Sequence, residues 1–294
     1  PVVEVVPAFP ARAREGQHTM NARLNAMRER VRARAHANLR QASAPDAIAA
    51  CEERRLSWPR RAALLTRLQC EAERPTILDD ERIAFTRTVP SVPAYCRKED
   101  WEALFAGRKK HELGPISNIC ADWGMALSQG LLGRRRTAQE TRQRLAADAE
   151  AVEFLECAIE TIDAVLDLAR RYAAEARRLG KGDLAEMLEH APANPPRGFH
   201  EALQSLLLLR AAVWLSGHYH VGLGRFDQYM WPYLEADLQS GRLDLAAADL
   251  GEDLGDERLR LVGLRLRHGE GEVGHAVAAH VLDDHVDDDG GVGE

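Results

Sequence analysis

Apolar residues fall into helical stripes along this chain, separated by stretches rich in proline, glycine and arginine. The densest stripe runs from Gly198 to Leu215, where Phe199, Ala202, Leu203, Leu206, Leu207 and Leu209 leave almost no polar face. A helix apolar nearly all round belongs inside a large fold. His218-Tyr219-His220-Val221-Gly222 then alternates. That pattern predicts a strand with His218, His220 and Gly222 on one face and Tyr219 and Val221 on the other. Gly222 and Gly224 permit a tight bend, and a second helix follows Arg225. The upstream elements are expected to pack around this unit, which ends at Gly241.

Upstream, Leu24, Met27, Val31 and Ala35 recur at spacings of three and four, predicting a helix over Met20–Arg40. A second helix is expected over Pro45–Leu56, opened by Ser43 or Asp46. A third runs from Ser57-Trp58-Pro59 to Ala72, with Ser57 as N-cap, Pro59 in the first turn, and Leu64, Leu65 and Leu68 as its core stripe. Thr76–Leu78 and Ile83–Thr86 read as short extended pieces around an Asp79-Asp80 turn. Pro90 and Pro93 keep the next stretch extended. Glu99–Ala106 is a short helix or turn ending at Gly107. Leu113–Trp123 is a loop, and Asp122 begins a helix that ends near Gly130 or Gly133. Residues 134–147 form an exposed Arg/Gln-rich helix. The longest helical run is Ala149–Leu179, with Val152, Leu155, Ile159, Ile162, Val165, Leu166 and Ala169 on its stripe, stopped by Gly180-Lys181-Gly182. Asp183–His190 is a short helix, and residues 191–196 are an extended lead into the Gly198 helix. The chain therefore reads as mainly α with a few short strands.

Charge divides the chain unevenly. The formal net charge is −7, yet residues 251–294 alone carry twelve acidic residues against four arginines. The rest is close to neutral and gives no electrostatic case for nucleic acid. The end segment uses eight residue types, Gly, Glu, Asp, Val, Ala, Leu, Arg and His, all with codons that begin with G or C. An out-of-frame reading of GC-rich DNA has that composition, and the segment lacks helical periodicity. A metal-binding tail of His268, His275, His280, His285 and Asp287–Asp289 is the alternative. The expected organisation is an irregular leader over 1–18, a domain over 19–250, and a disordered or frameshifted tail over 251–294.

Five widely spaced cysteines form no CxxC or Cys/His pattern, so neither a structural metal site nor a disulfide framework is expected. No apolar run is long enough to span a bilayer, because Arg210 interrupts the longest. The first sixteen residues are too short in apolar length and too proline-rich for a signal peptide. A cytoplasmic protein with no membrane partner is expected.

Phosphate loops, GxSxG and HExxH are absent. The chemistry-bearing positions of the strand-turn unit are His220 and Gly222 on its inward face and Arg225 and Asp227 beyond it. Arg225 and Asp227 are expected to form a buried pair stabilising the Gly224 turn rather than a catalytic couple.

These residues lead to a family resemblance. Pro192 to Leu206 (PANPPRGFHEALQSL), followed by Gly224 to Tyr229 (GRFDQY), resembles a segment of the glycyl radical enzymes, the family of pyruvate formate-lyase and its dehydratase, decarboxylase and choline-lyase relatives. Thr76–Ile83 is similar to an early I-x-D-D-E-x-I run of that family. Ser117-Asn118-Ile119-Cys120-Ala121-Asp122-Trp123, with Leu127 and Gly130-Leu131, resembles its G-H-x-x-x-D-Y segment. The likeness covers roughly residues 20–250.

The resemblance implies the N-terminal part of a ten-stranded α/β barrel, incomplete within this sequence. It implies a small organic substrate, a radical-SAM activating enzyme as partner, and room for a homodimer. It also implies a protein glycyl radical that passes to a cysteine, with no other bound cofactor. No cysteine follows Cys157, and no glycine loop of the family's kind occurs, so no catalytic residue is assigned. Asn118, His220 and Gly222 are the expected substrate-binding positions, and Gly224, Arg225 and Asp227 the structural turn. Asn118 stands where many relatives have histidine, which would weigh against diol dehydration. A truncated radical lyase, dehydratase or decarboxylase, inactive alone, is the reading that follows. A non-catalytic helical binding module derived from the family is the alternative.

Overall fold

The structure, a computed structural model, describes residues 22–43, 45–107, 119–218 and 221–243. Helix α1 covers Ala22–Arg32 and is followed by a 3-10 helix over Ala35–Leu39. The sequence predicts one helix here. Four apolar positions make a thin stripe for that length, and Arg34 leaves it at φ 50°. Helix α2 covers Ala47–Glu53, and Asp46 is its cap, accepting the Ala49 N–H at 2.9 Å. Helix α3 covers Trp58–Ala72 with proline in its first turn; Ser57 occupies the N-cap but makes no side-chain capping bond. Leu64 and Leu65 are buried, while Leu68 is half-buried.

Residues 73–97 contain no strand. Extended backbone needs partners for its N–H and C=O groups, and here side chains of helices provide them. Gln204 accepts the Ala84 N–H at 2.7 Å and donates to the Ala84 carbonyl at 2.9 Å. The buried Glu73 carboxylate takes the Thr88 N–H, the Thr88 hydroxyl and the Val89 N–H. Burial still holds the Glu73 pKa above the usual carboxylate range. Tyr172 donates to the Thr86 carbonyl at 3.1 Å. The Lys181 ammonium donates to the carbonyls of Leu78, Asp79 and Glu81, closing the Asp79-Asp80 turn.

Helix α4 covers Lys98–Ala106. Helix α5 covers Trp123–Arg144, capped by Asp122 through the Met125 N–H at 2.9 Å. The stop expected near Gly130 is a kink within one element. Gly130 sits at φ 65°, and a β-carbon there would lie 2.6 Å from the Ala193 carbonyl oxygen. Helix α6 spans Ala149–Arg178, capped by Asp148, and buries Ala164, Val165, Leu168, Ala169, Tyr172, Ala173 and Ala176. Helix α7 covers Gly182–His190. Residues 191–194 form a turn with a cis Ala191–Pro192 bond in place of the extended lead.

Helix α8 covers Phe199–Leu215, and all but three of its seventeen residues are buried. It touches α3, α5, α6 and α7, and also helix α9, Phe226–Gln239. The main core lies where α6, α7 and α8 meet. A second cluster of Leu127, Phe199, Ala202, Leu203, Met230 and Leu234 joins α5, α8 and α9. Among the described residues there are two strands, β1 at Ile119–Cys120 and β2 at Val221–Gly222, paired in parallel. The fold is thus mainly helical, with a strand in the stretch read as a loop and none in the two pieces around Asp79. No helix among the described residues is long and apolar enough to cross a membrane.

Candidate functional site

The two strands are short, but they bring distant segments together. Ile119 pairs with Val221 and Cys120 with Gly222. Side chains alternate across a strand, so buried Val221 faces the helical core while Gly222 faces away. After Cys120 the chain enters α5 through Asp122; after Gly222 it enters α9 through Gly224-Arg225. The carboxyl ends of two parallel strands therefore meet the amino ends of two helices. In open α/β sheets, ligands favour the crevice outside the carboxyl ends of strands. A hollow of about 240 Å³ lies there; Cys120, Asp122, Trp123, Gly224, Arg225, Gln228 and Tyr229 are among the residues that line it.

Two ring donors hold the backbone at this hollow. The Trp123 indole N–H donates to the Gly222 carbonyl at 2.9 Å, and the Tyr229 hydroxyl donates to the Leu223 carbonyl at 2.9 Å. Burial is the main cause that pushes the Tyr229 hydroxyl above its ordinary pKa, with the nearby Cys120 and Asp227 adding to it. At neutral pH Tyr229 is a donor, not an anion. Phe226 meets Tyr229 edge-on at 5.7 Å. Gly224 has φ 61°, and a β-carbon on it would lie 2.7 Å from the Cys120 sulfur. Only glycine suits that backbone and that space. Cys120 is exposed, whereas Cys51, Cys70, Cys96 and Cys157 are buried.

The six expected site residues are distributed as follows. Asn118 and His220 lie outside the described residues. Gly222 ends β2 and Gly224 makes the turn. Arg225 and Asp227 pair at 3.6 Å, but their side chains are 71% and 60% exposed, so the expected buried pair is a surface pair. Their place at the helix end explains this: Arg225 is the N-cap of α9 and Asp227 lies in its first turn, ahead of the buried stripe of Met230, Leu234 and Asp237. An exposed pair of this kind contributes at most about 1 kcal/mol. Sequence reasoning missed Cys120, Trp123 and Tyr229 as wall residues. Trp123 and Tyr229 stood in the quoted motifs, but their shared hollow arises from a contact spanning 99 residues. Among the described residues no cluster of three or more His, Cys, Asp or Glu is placed to hold a metal ion.

The Gly198–Gln204 motif serves the scaffold. The Glu201 carboxylate takes the Arg197 N–H at 2.7 Å and its guanidinium Nε at 2.8 Å. His200 donates from Nε2 to the Arg82 carbonyl at 2.9 Å, and burial lowers its pKa from the ordinary imidazole value. With Gln204 on Ala84, one helix turn holds the 82–84 stretch against α8.

The pyruvate formate lyase-like family model matches residues 95–250, just over half of the chain. Isethionate sulfite-lyase of Bilophila wadsworthia is 30% identical over 140 residues, covering 42% of this chain and 17% of that protein. Indoleacetate decarboxylase of Tractidigestivibacter scatoligenes is 30% identical over 160 residues, covering 47% of this chain and 18% of that protein. Among solved structures, a protein of 1,2-propanediol dehydration in Roseburia inulinivorans aligns with TM-score 0.60 at 19% identity, over 77% of this chain and 36% of its own. A glycyl radical enzyme from Archaeoglobus fulgidus aligns with TM-score 0.54 at 17% identity, over 74% and 38%. The structural likeness is one of fold. The matched part of the chain spans under a fifth of these curated relatives and under two fifths of these solved structures.

Proposed function

This chain belongs to the pyruvate formate lyase-like family of glycyl radical enzymes, and from that membership we propose that residues 19–250 form the N-terminal, substrate-side part of a radical lyase, dehydratase or decarboxylase acting on a small organic molecule. The observation that carries this reading is the parallel pairing of Cys120 with Gly222. It brings Cys120–Trp123 and Gly224–Tyr229, which belong to the two family segments, side by side at one hollow.

In this reading Asn118, His220 and Gly222 face the substrate, and Gly224, Arg225 and Asp227 hold the turn behind them. Asn118 is a neutral donor and acceptor and shuttles no proton at ordinary pH. It can orient a polar substrate group but not replace an acid or base. A glycyl radical, installed by a radical-SAM activating enzyme, would supply the hydrogen abstraction. The 294 residues hold no counterpart of the cysteine or glycine loop that carries it, so turnover would depend on sequence outside them. The family match stops at residue 250, which supports reading residues 251–294 as outside the fold. A cytoplasmic, anaerobic, homodimeric enzyme is the setting this reading proposes.

The coding DNA tests this. Past codon 250, all three forward frames are read for a segment with a cysteine loop followed by a glycine loop. Family sequence resuming in a shifted frame is the expected outcome. A stretch with no such segment in any frame removes the truncated-enzyme reading and leaves a non-catalytic module. That module should then co-purify with a full-length relative in a pulldown.

A further inference from the structure

The stretch Gly222-Leu223-Gly224 has two glycines and should be mobile, yet two ring donors hold two successive carbonyls in it. Trp123, the first residue of α5 and buried, donates to Gly222. Tyr229, in the first turns of α9, donates to Leu223. The Cys120 sulfur occupies the space beside Gly224 where a β-carbon would go. Both rings therefore spend their polar edge on backbone, and what they leave to the hollow is ring surface.

We infer that Trp123 and Tyr229 are positioning residues: together they fix the 222–224 backbone, and with it Leu223, Gly224 and the Cys120 thiol in the wall of the hollow. The wall is substrate-facing only on the functional reading proposed above; the fixation itself stands on geometry. A net hydrogen bond of ordinary strength corresponds to a change of roughly two- to tenfold in a local opening equilibrium.

Amide hydrogen exchange on the 294-residue protein tests this, with Trp123→Phe and Tyr229→Phe. Each keeps a ring and removes a donor. Exchange is followed across residues 119–124 and 221–226, and iodoacetamide labelling of Cys51, Cys70, Cys96 and Cys157 reports on the rest of the fold. The expected result is about two- to tenfold faster exchange at 221–224 in Trp123→Phe and a smaller rise in Tyr229→Phe, with the four buried cysteines as protected as in the parent. Unchanged exchange at 221–224 in both variants overturns the inference. So does a rise matched by equal loss of protection at the buried cysteines, which is what a merely structural role produces. Should Trp123→Phe fail to fold, Tyr229→Phe decides by the same two outcomes. Failure of the functional reading would show in the coding DNA and leave the exchange result standing.

Discussion

Asp237 on α9 accepts the Phe199 backbone N–H at 2.8 Å and caps α8 from a helix that starts after the β2 turn. Gly198 makes the approach possible: a β-carbon there would lie 2.8 Å from both Asp237 oxygens. Arg242 completes the carboxylate's bonding from Nε at 2.8 Å. A buried carboxylate at a helix amino end satisfies an orphan N–H and complements the helix dipole. Asp237→Ala is expected to destabilise by about 1–3 kcal/mol, and Gly198→Ala by a similar amount through overpacking. Urea unfolding followed by circular dichroism measures both. Two variants with the parent's midpoint would show that this cap contributes nothing.

Gln204 makes the second long-range clamp. Its amide satisfies both backbone groups of Ala84 in a fully buried setting. Gln204→Ala leaves an N–H and a C=O without partners, each costing about 1–3 kcal/mol. The expected loss is about 2–6 kcal/mol, with protease cleavage appearing first between residues 79 and 89. Global unfolding without early cleavage there would mean that the strap does not depend on this amide.

Acidification should loosen the same region. Burial lowers the His200 pKa, and the charge of Arg82 adds to that, against a bond to the Arg82 carbonyl and the carboxylates of Glu201 and Asp237. The unfolded imidazole, near pH 6.5, binds a proton more readily than the folded one. Its contribution is therefore full above about pH 6.5 and declines as pH falls below that value. His200→Gln should flatten the slope of unfolding free energy between pH 7.5 and pH 5.5. An identical slope in parent and variant would assign the pH dependence to groups other than His200; the buried Glu73 is not one of them, because its raised pKa acts in the opposite direction.

Gly224 and Cys120 are coupled by space. Gly224→Ala meets a left-handed backbone and the Cys120 sulfur at once, for an expected loss of about 1–3 kcal/mol. Adding Cys120→Ala should recover the steric part and leave the backbone part, about 1 kcal/mol. A double-mutant cycle of urea midpoints reads the coupling. Strict additivity would deny the contact.

Local features were legible in the sequence, and long-range ones were not. The apolar spacing of α3, α6, α7 and α8 depends on neighbours three and four residues away, so those helices could be read directly. The near-continuous apolar surface of α8 announced its burial. Asp46, Asp122 and Asp148 cap helices within three residues of themselves. By contrast, β1 exists only because Cys120 meets Gly222, and nothing within residues 113–123 signals that partner. The pieces near Thr76 and Ile83 have strand-like composition, but Gln204, Tyr172, Lys181 and Glu81 take their bonds. Arg225 and Asp227 looked like a core pair because aromatics surround them in sequence; their place at the cap and first turn of α9 leaves them exposed. Asp237 had no local signal as a cap. The hollow was visible only as two disconnected motifs.

The central proposal is that this chain supplies the substrate-side helices and strand ends of a glycyl radical enzyme but not the radical-bearing loops. Electron paramagnetic resonance tests it most directly. The 294-residue protein is incubated without oxygen with S-adenosylmethionine, a reductant and a radical-SAM activating enzyme of the family, beside a full-length relative as positive control. The account predicts a glycyl radical doublet from the relative and none from this chain. A doublet from this chain, with oxygen-dependent backbone cleavage within residues 1–294, would contradict it.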